Sequence, residues 1–256
     1  MTVATLTARA VDSGLGRRLS WQRRLARVNY PWFGAFFGAL LRGVGRYRLG
    51  DIGTFRRKVE AAVQGHQGPV LIAANHLTMI DSLIIMWAMG SYWTYCKDFR
   101  RFPWNMPEMR NFARNPLLRL MCYLGKCIYV ERGGSLAARR ETLDSFRHVL
   151  TLGDWALIFP EGGRSRTGRI DQENATYSVG ELYLEIPNVK ILCVYLRGEA
   201  QETWGFFPKF GDRFRADVRQ LTPTSHGEGK RGARDVAREI MVELAAMEEL
   251  WLGAKP

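Results

Sequence analysis

Two short stretches of this 256-residue chain carry side chains suited to acid–base work and to holding an anion. The first reads Asn75-His76-Leu77-Thr78-Met79-Ile80-Asp81. An imidazole takes up a proton near neutral pH, and a carboxylate a few residues away can hold it in the tautomer that leaves the reactive nitrogen free. These are two members of a catalytic triad. No Gly-x-Ser-x-Gly elbow supplies the third, so the attacking hydroxyl would come from the substrate. On spacing alone a structural histidine is the plainer role, with Asp81 as a helix-start residue and Thr78 as a helix cap. The second stretch, residues 159–168, reads Phe-Pro-Glu-Gly-Gly-Arg-Ser-Arg-Thr-Gly. Gly162 and Gly163 let the backbone approach a ligand, while Arg164 and Arg166 offer planar forks for a phosphate. Glu161 reads as a group that fixes this loop or touches the substrate. His66, His148 and His226 lack such company and read as structural or surface residues.

Both stretches must leave strands at one edge of a sheet to act together, because ligands of open α/β sheets gather at the carboxyl ends of the strands. The pattern after residue 50 fits that demand. Residues 70–74 and 155–159 read as buried strands, each running directly into one of the two stretches, and 190–196 reads as a third. Residues 92–96 and 127–130 are expected to be short strands, and 199–221 to add irregular ones. Helices are expected over 80–89, in two pieces divided by Pro107 and Pro116, from a Ser135 cap to Gly153, over 179–185, and along the stripe Val236, Ile240, Leu244, Met247 and Trp251. The fold class is therefore α/β, a mostly parallel central sheet flanked by helices.

A hydrophobic fraction of 46% can fill a sizeable core, and the net charge of +12 implies an acidic partner. Cys96, Cys122, Cys127 and Cys193 lack metal-site spacing and read as reduced thiols, so no metal is expected. Residues 1–16 contain no signal-peptide core.

Residues 1–48 are set apart by composition as an N-terminal segment, leaving 49–256 as the main domain. Arg17, Arg18, Arg23, Arg24 and Arg27 precede the uncharged residues 28–41, and Arg42, Arg46 and Arg48 follow. The uncharged run falls short of the roughly 20 residues that cross a bilayer. Lying in one leaflet suits it better, with Trp21, Tyr30, Trp32, Phe33, Phe36 and Phe37 at the headgroup boundary and arginines on lipid phosphates. Pro31, Gly34 and Gly38 predict a broken helix or helical hairpin. A first helix packed on the core is the alternative. No nucleic-acid recognition motif accompanies the arginines.

Taken together, residues 68–196 resemble the glycerolipid acyltransferases, in particular the bacterial 1-acylglycerol-3-phosphate acyltransferases. His76 and Asp81 are similar to that family's His-x4-Asp block, and Phe159 to Arg164 to its Phe-Pro-Glu-Gly-x-Arg block. Ile128-Tyr129-Val130-Glu131-Arg132 is similar to the block of apolar residues, acid and arginine, and Lys97 stands where a family lysine helps bind the acceptor phosphate. The resemblance implies a general base at His76 oriented by Asp81, and an acceptor phosphate held by Lys97, Arg132 and Arg164. It also implies a donor thioester of coenzyme A or acyl carrier protein, no further cofactor, a lysophosphatidate-like acceptor, and work at the cytoplasmic face of a membrane. Backbone donors near the histidine loop would hold the oxyanion. Gly163 departs from a common threonine and is more like glycerol-3-phosphate acyltransferases. Lys126 replaces a common glycine, and Cys193 stands before Val194 where a proline commonly precedes the valine. A non-catalytic membrane-binding protein that keeps these blocks as ancestry is the reading from another class.

Overall fold

A computed structural model describes residues 13–224 and 227–253, so His226 lies outside the described residues. Helix α1 (Ser13–Ala39) runs into a π-helical turn (Leu40–Val44), then β1 (Arg48–Leu49), α2 (Ile52–Val63) and β2 (Val70–Ala74). Next come α3 (Asp81–Met89), α4 (Tyr92–Lys97), a 3-10 turn (Phe99–Arg101), β3 (Trp104–Asn105), α5 (Met109–Phe112), α6 (Pro116–Leu124), α7 (Leu136–Thr151) and β4 (Trp155–Ile158). The chain continues through α8 (Ser178–Glu185), β5 (Lys190–Gly198), β6 (Arg213–Leu221) and α9 (Gly229–Gly253).

The six strands form one sheet in the order β1-β6-β5-β2-β4-β3. Only the β5–β6 pair is antiparallel, so the sheet is mostly parallel, as its apolar runs predict. Alternation along the central strands builds two cores. Leu71, Ala73, Ala156, Ile158, Ile191 and Cys193 pack with α7, α8 and α9. Val70, Ile72, Ala74, Trp155, Leu157, Leu192 and Val194 pack with α2 and α3. Because β2, β4 and β5 are parallel, the chain leaving Ala74, Ile158 and Gly198 emerges at one edge.

The N-terminal segment differs from expectation. α1 is one continuous helix through Pro31, not a hairpin. Its stripe Leu19, Ala26, Tyr30 and Phe37, continued by Leu41 of the π-helical turn, is buried on both sides of the proline, and that packing outweighs the one backbone bond Pro31 forfeits. Tyr30 and Ala26 share a cluster with Met86, Tyr95, Phe99 and Phe102. Arg23 grips the fully buried Asp154 through Nε and Nη2, at 2.8 to 3.0 Å. Residue 48 is thus no packing boundary. The opposite stripe, Trp21, Leu25, Val28, Trp32 and Phe36, is exposed. Of the aromatics expected at a headgroup boundary, Tyr30 and Phe37 are buried and Phe33 is half-buried, since helical periodicity turns them inward.

Residues 92–96 form a helix rather than a strand. Ser91 and Thr94 make a reciprocal capping box that overrides the β preference of two tyrosines and a tryptophan. Residues 127–130 contribute bridges, Asn105 to Cys127 and Glu108 to Val130, instead of a full strand. Lys126 holds φ 54°, the left-handed region that glycine enters freely. Its buried ammonium donates to Phe102 O at 2.7 Å and faces Asp154 at 3.1 Å.

Candidate functional site

His76 follows β2 by two residues, and its position is fixed on every side. Asn75 forms paired bonds with Leu196 N and O, which lock the end of β2 to β5. His76 Nδ1 lies 3.1 Å from Asp81 Oδ2, and the imidazole stacks on Phe159 with centroids 4.1 Å apart. With Nδ1 donating to the carboxylate, Nε2 is the acceptor nitrogen. Asp81 begins α3 and reaches back over the loop, accepting also from Leu77 N (2.6 Å), Thr78 N (2.7 Å) and Thr78 Oγ1 (2.5 Å). Thr78 therefore does not cap the helix; its hydroxyl serves Asp81. Four donors converge on one carboxylate that is 4% exposed, which makes the His76 orientation a property of the whole turn.

The second stretch wraps the same loop. His76 N donates to Glu161 Oε1 at 2.9 Å, and Ser165 N donates to His76 O at 3.0 Å. Gly162 takes φ 65°, where a Cβ would strike Thr176, so this turn requires glycine. Burial pushes the Glu161 carboxyl up to about 8, against the opposing pull of the His76 N–H.

Arg164 and Arg132 stand together here. Arg132 Nη1 would be 3.5 Å from a Cβ on Gly163. Burial and the neighbouring Arg132 charge lower the Arg164 pKa, while Asp81 raises it. Arg132 pairs with Glu108 at 3.2 Å across the edge next to β3. The turn that carries Arg164 beside Arg132 is thus joined to the histidine loop through the Ser165–His76 backbone bond. Arg166 is exposed.

Lys97 is not part of this group. It ends α4, and the adjoining Asp98 and Arg100 line a cavity with Gly68, Gly153 and Trp155 at the start of β2 and β4. The rise of β2, about 13 Å, separates that edge from the histidine. The sequence places Lys97 correctly in order along the chain, but α3 carries the chain back to the opposite edge first.

The expected oxyanion donors are also not where the sequence puts them. The amides of His76, Leu77, Thr78 and Met79 all have partners, Glu161, Asp81, Asp81 and Phe206 respectively. That loop spends its donors on its own geometry.

A third segment, residues 199–212, completes the site and was not foreseen. Gly205 N donates to Leu77 O at 3.0 Å and Met79 N to Phe206 O at 3.1 Å. Arg164 Nη1 donates to Gly205 O at 2.9 Å, with its guanidinium 4.9 and 5.1 Å from the Trp204 and Phe206 rings. Behind it, buried Arg197 donates to Gly168, Gln201 and Glu202 carbonyls and pairs with Glu248 of α9 at 3.3 Å. An aromatic pair beside a glycine was the only signal in the sequence. A separate cavity of about 500 Å³ lies between α1, α6 and α7, with Leu19, Leu120, Ile128 and Tyr129 in its wall. Glu131, which precedes Arg132 in the chain, also lines it.

Among known proteins, the family model described as Acyltransferase matches residues 55–245. An N-acylphosphatidylethanolamine synthase of Arabidopsis thaliana is 27% identical over 94 residues, 37% of this chain and 32% of that protein. The match thus spans about a third of that relative's length.

Proposed function

This chain belongs to the acyltransferase family of glycerolipid enzymes, and we propose that it moves a fatty acyl group from a thioester to the hydroxyl of a phosphate-bearing lipid acceptor. The observation that carries this reading is His76 held by Asp81 on a loop hydrogen-bonded to the loop of Arg164. Nε2 takes the acceptor's proton as its oxygen attacks the thioester carbonyl. The C–S bond then breaks, the ester forms, and the imidazolium returns the proton to the departing thiolate. Asp81 holds the tautomer and stabilises the transient charge, and such general-base help is worth about 10²- to 10⁴-fold. Arg132 and Arg164 grip the acceptor phosphate. The donor is carried by coenzyme A or acyl carrier protein.

Lysophosphatidate, acylated to phosphatidate, is the favoured acceptor. Glycerol-3-phosphate is the second reading, favoured by Gly163, whose missing side chain leaves open the space beside Arg132. The exposed stripe of α1, flanked by Arg17, Arg24 and Arg27, supports attachment to a membrane surface; that this is the cytoplasmic face is part of the proposal. No helix among the described residues is long and apolar enough to cross one.

Purified protein with vesicles, acyl thioesters and a panel of lysophosphatidate, glycerol-3-phosphate and phosphatidylethanolamine tests this by thiol release. The amine acceptor is included because of the name of the plant relative. We expect release with lysophosphatidate or glycerol-3-phosphate, which offer a hydroxyl, none with phosphatidylethanolamine, which offers an amine, and loss of release in His76→Ala with folding intact. Wild-type turnover in that variant would refute the general base, and silence across the panel would favour a non-catalytic membrane protein.

A further inference from the structure

The loop that closes the site turns an unusual face to solvent. Across residues 204–210, Phe206, Phe207 and Phe210 are 62%, 65% and 69% exposed, and Trp204 is 38% exposed. So many apolar rings in one heptapeptide mark a contact surface, since each would gain by leaving water. The loop is not loosely attached. Its amides and carbonyls bond to Leu77 and Met79, so the rings stand at the rim of the His76 site.

Its far end is tied to the segment that follows α1. Gly211 N donates to Gly45 O, Tyr47 OH to Pro208 O, and the Arg46 guanidinium lies 5.6 Å from the Phe210 ring. Val44 is 67% exposed, and Arg46, Arg48, Lys209 and Arg213 are exposed around this junction. Rings backed by cations suit one environment in particular. In the headgroup layer of an anionic bilayer the rings reach the acyl boundary while arginine and lysine meet phosphates.

We propose that residues 204–210 insert into an anionic lipid bilayer as a second membrane contact, continuous with α1, and so set the opening of the His76 site at headgroup level. Charge complementarity chooses the bilayer, and the Arg46–Phe210 and Gly45–Gly211 contacts supply the continuity. The inference shares the membrane setting of the proposed function and is independent of the acyl transfer itself.

The experiment compares the full chain with a Phe207→Ser/Phe210→Ser variant in co-sedimentation with vesicles of phosphatidylglycerol and phosphatidylcholine. Neither side chain touches the His76, Arg132 or Arg164 groups in the contacts described above. We expect partitioning onto the anionic vesicles to fall by roughly tenfold or more, the worth of two buried rings, with the circular dichroism spectrum unchanged. If the double variant misfolds, Phe207→Ser and Phe210→Ser are measured singly, with a smaller fall expected from each. Undiminished partitioning of a folded variant overturns the proposal. So does undiminished partitioning with selective loss of turnover on carrier-protein thioesters, which would assign the rings to that protein. Because sedimentation needs no turnover, a failed acyl-transfer assay leaves this result readable.

Discussion

At the scale of single residues, Asp81 carries more than the orientation of an imidazole. It accepts from His76, Leu77 and Thr78 together, so Asp81→Asn should reverse the preferred tautomer and loosen the turn. We expect turnover to fall by about 10²- to 10⁴-fold, with a lower melting temperature measured alongside. Arg164→Lys should also fail to substitute, because a point charge keeps neither the Gly205 bond nor the stack on Trp204 and Phe206. Arg132→Ala, by contrast, should raise the acceptor KM more than it lowers kcat. Glu161 gives a pH signature. Its carboxyl titrates near 4.3 in an unfolded chain and near 8 when folded. The folded state binds the extra proton between these values, so this group's contribution to stability declines as pH rises through that window. Glu161→Gln, able to accept the His76 N–H through its amide oxygen, should flatten that decline. The expected gain at pH 9 is on the order of a few kcal/mol, read by denaturant melts from pH 5 to 9.

At the scale of elements, α1 and α9 act as clamps. α1 buries one apolar stripe in the domain and supplies Arg23 to Asp154. Removing residues 1–48 would therefore uncover Asp154 and the Tyr30 cluster, and we expect that truncation to aggregate instead of yielding a soluble domain. The exposed stripe is the better target. Trp21→Ser/Trp32→Ser should weaken vesicle binding while the melting temperature stays within a few degrees, since both rings are more than half exposed. α9 holds the other side through Glu248, which meets Arg197, Arg169 and Ile170 N. Glu248→Ala strands a buried guanidinium. It should cost about 3–5 kcal/mol in equilibrium unfolding, and it should disorder the loop that carries Gly205 and Phe206.

At the scale of the whole molecule, three chain segments leave the same edge of a parallel sheet and meet over one histidine. That edge also gathers exposed rings and arginines, and the net charge of +12 extends the attraction to any anionic surface. Binding to phosphatidylglycerol vesicles should weaken markedly between 0.1 and 1 M salt, as the screening length drops from about 10 to about 3 Å. Salt-independent binding would mean that apolar insertion alone holds the protein there.

The sequence by itself determined the parts that are local. A carboxylate five residues after a histidine, two adjacent glycines before an arginine, and apolar runs of strand length are all legible because they act within one loop or one period. It also set the α/β class, since buried parallel strands must alternate with covering helices. Tertiary structure decided what depends on direction. It sent Lys97 to the opposite edge, because α3 reverses the chain before α4, and it split the aromatics of α1 between core and solvent according to how the helix docks. It brought residues 199–212 over the histidine through backbone hydrogen bonds, which depend little on residue type, so that the aromatic pair beside Gly205 was the one mark they left in the sequence.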